Sequence, residues 1–336
     1  MAVIGGTALM NQKVFRIKNI LLQASGLLFL LMLWEMAPRF GWVPLQYLPR
    51  FSTVIWTIYQ QWLAGFLWVH IVVSLWRAVT GLLIAMIIAI PLGLVLGHYS
   101  KSWLESFKPL FRILSQANPF SLMPVFILFF GIGEAAKLAV ITWVCLWPVL
   151  FNTITGVQNI DTQLIKAART LGLKPLDLLA TVLLPATAPF IFIGIRIGVE
   201  MAFFMLIAGE MIGAVAGLGW LLHNSAHLFQ ISRMYAAATC IVLLGVFLNR
   251  SLLWLENHLF FWHGNEPGFD GQLQTKPKRR LGQWELVLVS LLIIGIIVLG
   301  GRLVGEVNLK GGFGELHSHH QNNQPPVQDF GSSEGL

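Results

Sequence analysis

The chain has 336 residues, of which 56% are hydrophobic and only 11% charged, and it carries a net charge of +7. A soluble chain of this length needs far more charge on its surface, which excludes a water-soluble domain of any size. The basic residues sit in short loops between apolar runs, a pattern of membrane topology rather than of nucleic-acid binding.

Residues 1–18, with Lys13, Arg16 and Lys18, are expected in the cytoplasm. The first apolar run, about Asn19 to Ala37, is too long for a signal-peptide core and lacks a small-residue cleavage site, so it is expected to be a retained anchor. The connector "GWVPLQYLPRFS" follows, with Trp42 and Tyr47 suited to a membrane interface. Residues from about Ser52 to Leu67 are apolar and aromatic with a poor spanning profile, which predicts a surface segment. Further spans of roughly 20 residues or more are predicted at about His70–Gly97, Leu110–Phe130, Leu138–Thr155, Leu183–Ile212 and Ala236–Leu255. Pro91 is tolerated as a kink within a bundle. A polar, basic linker at 263–283, a further apolar helix at 284–305 and a disordered polar tail at 306–336 complete the chain.

An N-terminus inside puts Lys101, Lys108, Arg112, Lys166, Arg169, Lys174, Arg250 and the Lys276–Arg280 cluster in the cytoplasm. Only Arg39, Arg50, Lys137, Arg233, Arg302 and Lys310 then lie outside, so this orientation is favoured.

The stretch "KAARTLGLKPLDLLATVLLP", residues 166 to 185, is too polar and too broken to span. On a helical wheel Leu164, Ile165, Ala167, Ala168 and Leu171 cluster, with Thr162, Gln163, Lys166, Arg169 and Thr170 opposite. Asp161 is the expected N-cap, Gly172 the left-handed residue that ends the helix, and Leu173 its apolar companion. Pro175 then opens a second helix. A cytoplasmic helix lying on lipid phosphates is one reading of this pattern. Small alanines that admit a close neighbour favour the other, a docking helix for a protein partner.

These residues resemble the cytoplasmic loop signature of ATP-binding-cassette importer permeases: E-A-A, three residues, G, nine residues, I-x-L-P. The matching positions are Lys166, Ala167, Ala168, Gly172, Val182, Leu184 and Pro185. "SLWRAVTGLLIAMIIAIPLGLVLG", "NPFSLMPVFILFFGIGEAAKL", "WPVLFNTITGVQNID" and "GIRIGVEMAFFMLIAGEMIGAVAGLGWLL" look like the branch that imports nitrate, sulfonates, taurine and related compounds. The resemblance covers roughly residues 20 to 262. It implies an all-α integral membrane protein, a six-helix type I importer permease over 19–262 with its coupling loop at about 157–185, and an added C-terminal helix. It also implies a bacterial inner-membrane location, a homodimer, a periplasmic or lipid-anchored substrate-binding protein, and a separate ATPase subunit gripped by the loop. Lys166 stands where the family carries Glu, a reversal that changes which group of the ATPase it meets.

A phosphate-binding loop needs G-x-x-x-x-G-K-[ST]; "GHYSKS" at 97 to 102 lacks the glycine before Lys101, so ATP hydrolysis is expected on the partner. No cofactor and no metal site are expected. His317, His319 and His320 in the tail form only a weak metal-binding pattern, and Cys145 and Cys240 read as packing residues. Ionisable residues within spans are functional candidates by default, here Arg77, Arg196, Glu200 and Glu210 as possible translocation-path residues. Arg196 and Glu200, four apart, have the spacing to neutralise each other.

The function expected is ATP-driven import of a small anionic solute, with sulfonate-type compounds favoured. Two other classes compete. A secondary transporter or channel predicts an internal repeat with paired broken helices, and a membrane-embedded enzyme predicts clustered His, Asp or Glu at a membrane face. Neither pattern stands out in the sequence.

Overall fold

The computed structural model describes residues 25–309 except 27, 100 and 260–282. The expectations for the cytoplasmic N-terminus, the start of the first apolar run, the 263–282 part of the linker, the Lys276–Arg280 cluster and the His-bearing tail lie outside the described residues. Those that are described are helical or in short turns, without a strand among them. They form α1 (28–39), α2 (Phe51–Leu63), α3 (Phe66–Tyr99), α4 (Lys101–Ser115), α5 (Pro119–Phe130), α6 (Glu134–Gln158), α7 (Thr162–Thr170), α8 (Pro175–Leu178), α9 (Leu184–Met211), α10 (Leu218–His227), α11 (Ile231–Leu259) and α12 (Gln283–Leu309). One π-helical turn, Leu179–Leu183, joins α8 to α9.

Among the described residues, four stretches are long and apolar enough to cross a membrane: Phe66–His98, Glu134–Gln158, Leu179–Met211 and Ile231–Glu256. The expected span at 110–130 is not one rod. α4 and α5 meet at 91°, and only together are they long and apolar enough to cross. Local chemistry explains the break. Pro119 opens α5 and keeps Asn118 out of the helical region, at ψ 119°, while the Asn118 side chain accepts from the Phe120 N–H at 3.0 Å. Pro91, by contrast, lies within α3 without ending it.

The chain divides into two compact units. In the smaller, residues up to Leu67 join Leu222–Thr239. Trp34 anchors it: its indole N–H donates to the Pro49 carbonyl at 3.1 Å, and its ring packs against Phe51 and Tyr235 at 5.5 and 5.8 Å. The Tyr235 hydroxyl donates to the Tyr47 carbonyl, and Arg233 lies over the Phe66 ring. α2 buries Val54 and leaves Ile55, Trp56, Tyr59 and Trp62 exposed, which suits a segment that lies along a surface.

The larger unit, Trp68–Leu221 with residues from Cys240 on, is built on α3, α6 and α9. Small residues let these helices approach closely, as expected where lipid supplies no hydrophobic push. A Cβ on Gly93 would fall 2.7 Å from Thr153, one on Gly97 2.7 Å from Val157, and one on Gly194 2.8 Å from the Pro148 carbonyl. Trp147, Leu150, Ile191 and Ile195 fill the space between them. Cys145 and Cys240 are buried free thiols. α12 covers the apolar run expected at 284–305 and seats Gly300 directly on the Trp76 side chain of α3.

Candidate functional site

α7 is short, nine residues, and its ends are fixed by the residues that the sequence marks for them. The Asp161 carboxylate accepts from the Gln163 N–H at 2.8 Å. Gly172 takes φ +80°, and two backbone bonds close the far end, Gly172 N–H to the Arg169 carbonyl at 3.0 Å and Leu173 N–H to the Ala168 carbonyl at 3.4 Å. That double bond pattern is the usual glycine-ended helix stop.

The apolar residues of α7 do not share one contact. Ala168 is buried, and with Ile165 and Leu173 it packs against Leu94 of α3, Val157 of α6, Leu178 and Leu183. Leu164 and Leu171, grouped with them on the wheel, are instead 50% and 82% exposed, and Ala167 is exposed between them. Positions 164, 167 and 171 fall one helical turn apart and make a second, outward stripe. The inner stripe fastens α7 to the ends of two spans; the outer one has no partner within the chain's described contacts. Lys166 is exposed beside it, and the Arg169 guanidinium lies 3.3 Å from a ring nitrogen of His98.

The rest of the loop leads into α9. Val182 packs on the same cluster as Ala168, while Leu184 and Pro185 are exposed. The Leu184 N–H reaches back to the Leu179 carbonyl and closes the wide turn. Pro185 has no N–H to continue an α pattern, which is the physical reason for a π turn just before it.

Of the four intramembrane candidates, Arg77 and Glu210 come together. Arg77, 1% exposed, donates from Nη1 to Glu210 Oε1 at 2.7 Å. Its Nε and Nη2 grip Glu134 at 2.6 and 2.7 Å, and Nη1 also reaches the Ala216 carbonyl at 2.7 Å. Lys137 donates to Glu134 at 3.1 Å. Two cations thus face two anions, which is how buried charge is tolerated in a low-dielectric interior.

Glu210 also organises the chain after α9. Its carboxylate accepts from the Ser74 hydroxyl at 2.7 Å and the Gly219 N–H at 2.8 Å. Ser74 Oγ in turn accepts from the Leu218 N–H at 2.8 Å, and His70 Nδ1 accepts from the Gly217 N–H at 3.0 Å. A carboxylate so placed satisfies the open donors at the start of α10. Both glycines are needed for the approach: Gly217 has φ +129° and a Cβ there would collide with the Glu210 carboxylate, while one on Gly219 would lie 2.6 Å from the Ile207 carbonyl.

Glu134, Lys137, Ser74 and His70 are absent from the translocation-path candidates of the sequence, Arg77, Arg196, Glu200 and Glu210. The signal was present: His70, Ser74 and Arg77 fall at i, i+4 and i+7 on one face of α3, and Glu134 and Lys137 head an apolar run. Arg196 and Glu200 do not pair as their spacing allows. Arg196 reaches across to Glu256 of α11 at 3.1 Å, and Glu200 is exposed on α9.

Residues 89–260 match the family described as binding-protein-dependent transport system inner membrane component. A putative ABC transporter permease protein of Methanocaldococcus jannaschii is 32% identical over 73% of this chain and 93% of its own length. The putative aliphatic sulfonates transport permease protein of Escherichia coli is 31% identical over 68% of this chain and 87% of its own. A chain of the inward-facing MetNI methionine ABC transporter superposes with a TM-score of 0.50 over 55% of this chain and 91% of that one. At 18% identity that likeness concerns the all-helical fold alone.

Proposed function

The chain belongs to the binding-protein-dependent transport system inner membrane component family, and we propose that it forms the translocation path for a small anion of the aliphatic sulfonate class. The substrate class rests on the likeness to the sulfonate permease of Escherichia coli. Energy comes from a separate ATPase subunit, which grips the chain at α7. The observation that carries this reading is the outward stripe of Leu164, Ala167 and Leu171, held rigidly by a buried inner stripe. An isolated surface helix that only floated on lipid would have no reason for two apolar stripes and a fixed glycine stop.

In this reading Lys166, Ala167, Ala168 and Gly172 form the coupling element, and Val182, Leu184 and Pro185 carry its displacement into α9. The subunit works as a homodimer with a substrate-binding protein outside. Its N-terminus lies in the cytoplasm, the 263–283 linker joins the permease core to α12, and α12 crosses the membrane outside that core. Arg77 spends four of its donor contacts within the protein, so its part in the path is to position the loop after α9 rather than to meet the anion. Arg196 and Glu200 on α9 are the pair assigned to the path itself.

Reconstitution tests the reading. Proteoliposomes holding the permease, its ATPase and its binding protein are expected to take up a labelled aliphatic sulfonate only with ATP inside the ATPase compartment. Uptake of nitrate but not sulfonate would reassign the substrate, and uptake driven by an ion gradient without ATP would overturn the proposal.

A further inference from the structure

We infer that His223 and His227 form a chelate site for a divalent transition-metal ion of tetragonal or octahedral preference, Cu2+ or Ni2+. The inference is independent of the transport reading. The two residues sit four apart on α10, in "HNSAH", the spacing that puts two imidazoles on one helix face. Their Nε2 atoms lie 3.0 Å apart, a ring-to-ring hydrogen-bond contact that a metal ion would replace by displacing its one proton, and the rings are nearly perpendicular at 86°. No carboxylate pairs with either ring among the described residues; His227 is exposed and His223 half-buried.

The separation selects the metal. Two nitrogens 3.0 Å apart, each bonded at about 2.05 Å, subtend an angle of about 94° at the ion. A square or octahedral ion wants 90°, whereas a tetrahedral Zn2+ wants about 109° and a wider bite. The affinity order of divalent ions on nitrogen ligands points the same way. Placement adds a second reason. His227 lies in the last turn of α10, where the negative end of the helix dipole favours a cation. Water fills the remaining positions, since no group of three or more His, Cys, Asp or Glu is poised together among the described residues. Bound metal would staple the last turn of α10, just before the turn in which Phe229 is held at φ 55°.

The test uses the full chain purified in detergent without a histidine tag, with His317, His319 and His320 replaced by Asn so that tail binding is removed. Titration with Ni2+ is expected to show one equivalent bound. His223→Ala and His227→Ala are each expected to weaken it by about a hundredfold, the loss when two tethered ligands become one. The Cu2+ electron paramagnetic resonance spectrum is expected to carry the hyperfine pattern of two imidazole nitrogens, and Zn2+ to bind more weakly than Ni2+. Ni2+ affinity unchanged in both single variants, or a spectrum with one imidazole or none, overturns the site. Circular dichroism of each variant, expected to match the native spectrum, checks that the fold is retained.

Discussion

Arg77 and Glu210 lie 133 positions apart and meet at 2.7 Å, with Glu210 wholly buried. Around this pair α3, α6, α9 and the start of α10 become one hydrogen-bonded body. Every donor that the chain presents after α9, from Gly217 to Gly219, ends on a side chain of that body.

Glu210→Ala removes one of the two anions and leaves the Arg77 guanidinium buried and undercompensated. The expected loss is about 3–5 kcal/mol, the usual effect of breaking a buried pair from one side. Thermal denaturation in detergent measures it. Glu210→Gln, which keeps the shape and the hydrogen-bond acceptor, is expected to lose less; equal losses would mean that the carboxylate charge is irrelevant.

Gly217→Ala and Gly219→Ala place a methyl where the Glu210 carboxylate or the Ile207 carbonyl already stands. Strain at φ +129° adds about 1–3 kcal/mol at Gly217. Both variants are expected to fall in folded yield and Tm. Gly245→Ala, on α11 with nothing within 4 Å of its new Cβ, is the control and is expected to hold or gain slightly. Similar behaviour of all three would remove the cradle from the account.

A Cβ on Gly172 meets no neighbour within 4 Å, so the main effect of Gly172→Val is expected from φ +80° and from what docks there. Left-handed strain of about 1–2 kcal/mol is expected for the isolated subunit. In the assembled transporter, ATP hydrolysis is expected to continue while uptake falls; Gly172→Asn, which accepts the left-handed region, is expected to keep most of both. Normal coupled uptake by Gly172→Val contradicts the role given to this turn.

Ala168 and Leu171 separate folding from docking on the same short helix. Ala168→Leu overfills the contact with Leu94, Val157 and Leu183 and is expected to destabilise the subunit by about 1–3 kcal/mol. Leu171→Glu, at a position 82% exposed, is expected to change stability by no more than about 0.5 kcal/mol. Comparison of their melting curves decides whether α7 has the two stripes.

Signals local to the chain were legible in the sequence. The cap at Asp161, the stop at Gly172 and four of the expected apolar spans depend on residues within a turn or two of each other, and each stands close to where the pattern puts it. The break between α4 and α5 is also local, yet the sequence pattern runs one span through 110–130; the Asn118 cap and Pro119 mark the bend. Tertiary partners were not legible. The spacing of Arg196 and Glu200 allowed a pair within one helix, but Glu256 from another helix competes and wins. Glu134 drew no notice because a charge at the head of a span resembles an ordinary boundary residue; its value appears only when Arg77 is folded against it. The wheel for α7 failed in one respect for the same reason. It finds an apolar arc, and only packing shows that Ala168 faces in and Leu171 faces out.

The most direct test is pull-down of the tagged permease from the membranes of its own host, followed by assay for a bound ATPase subunit. The account predicts an ATPase in near-equal amount with the native chain, and its loss from Leu171→Glu while the yield of folded permease is unchanged. An ATPase that stays bound to Leu171→Glu, or none bound to the native chain, would contradict the claim that α7 is where the motor attaches.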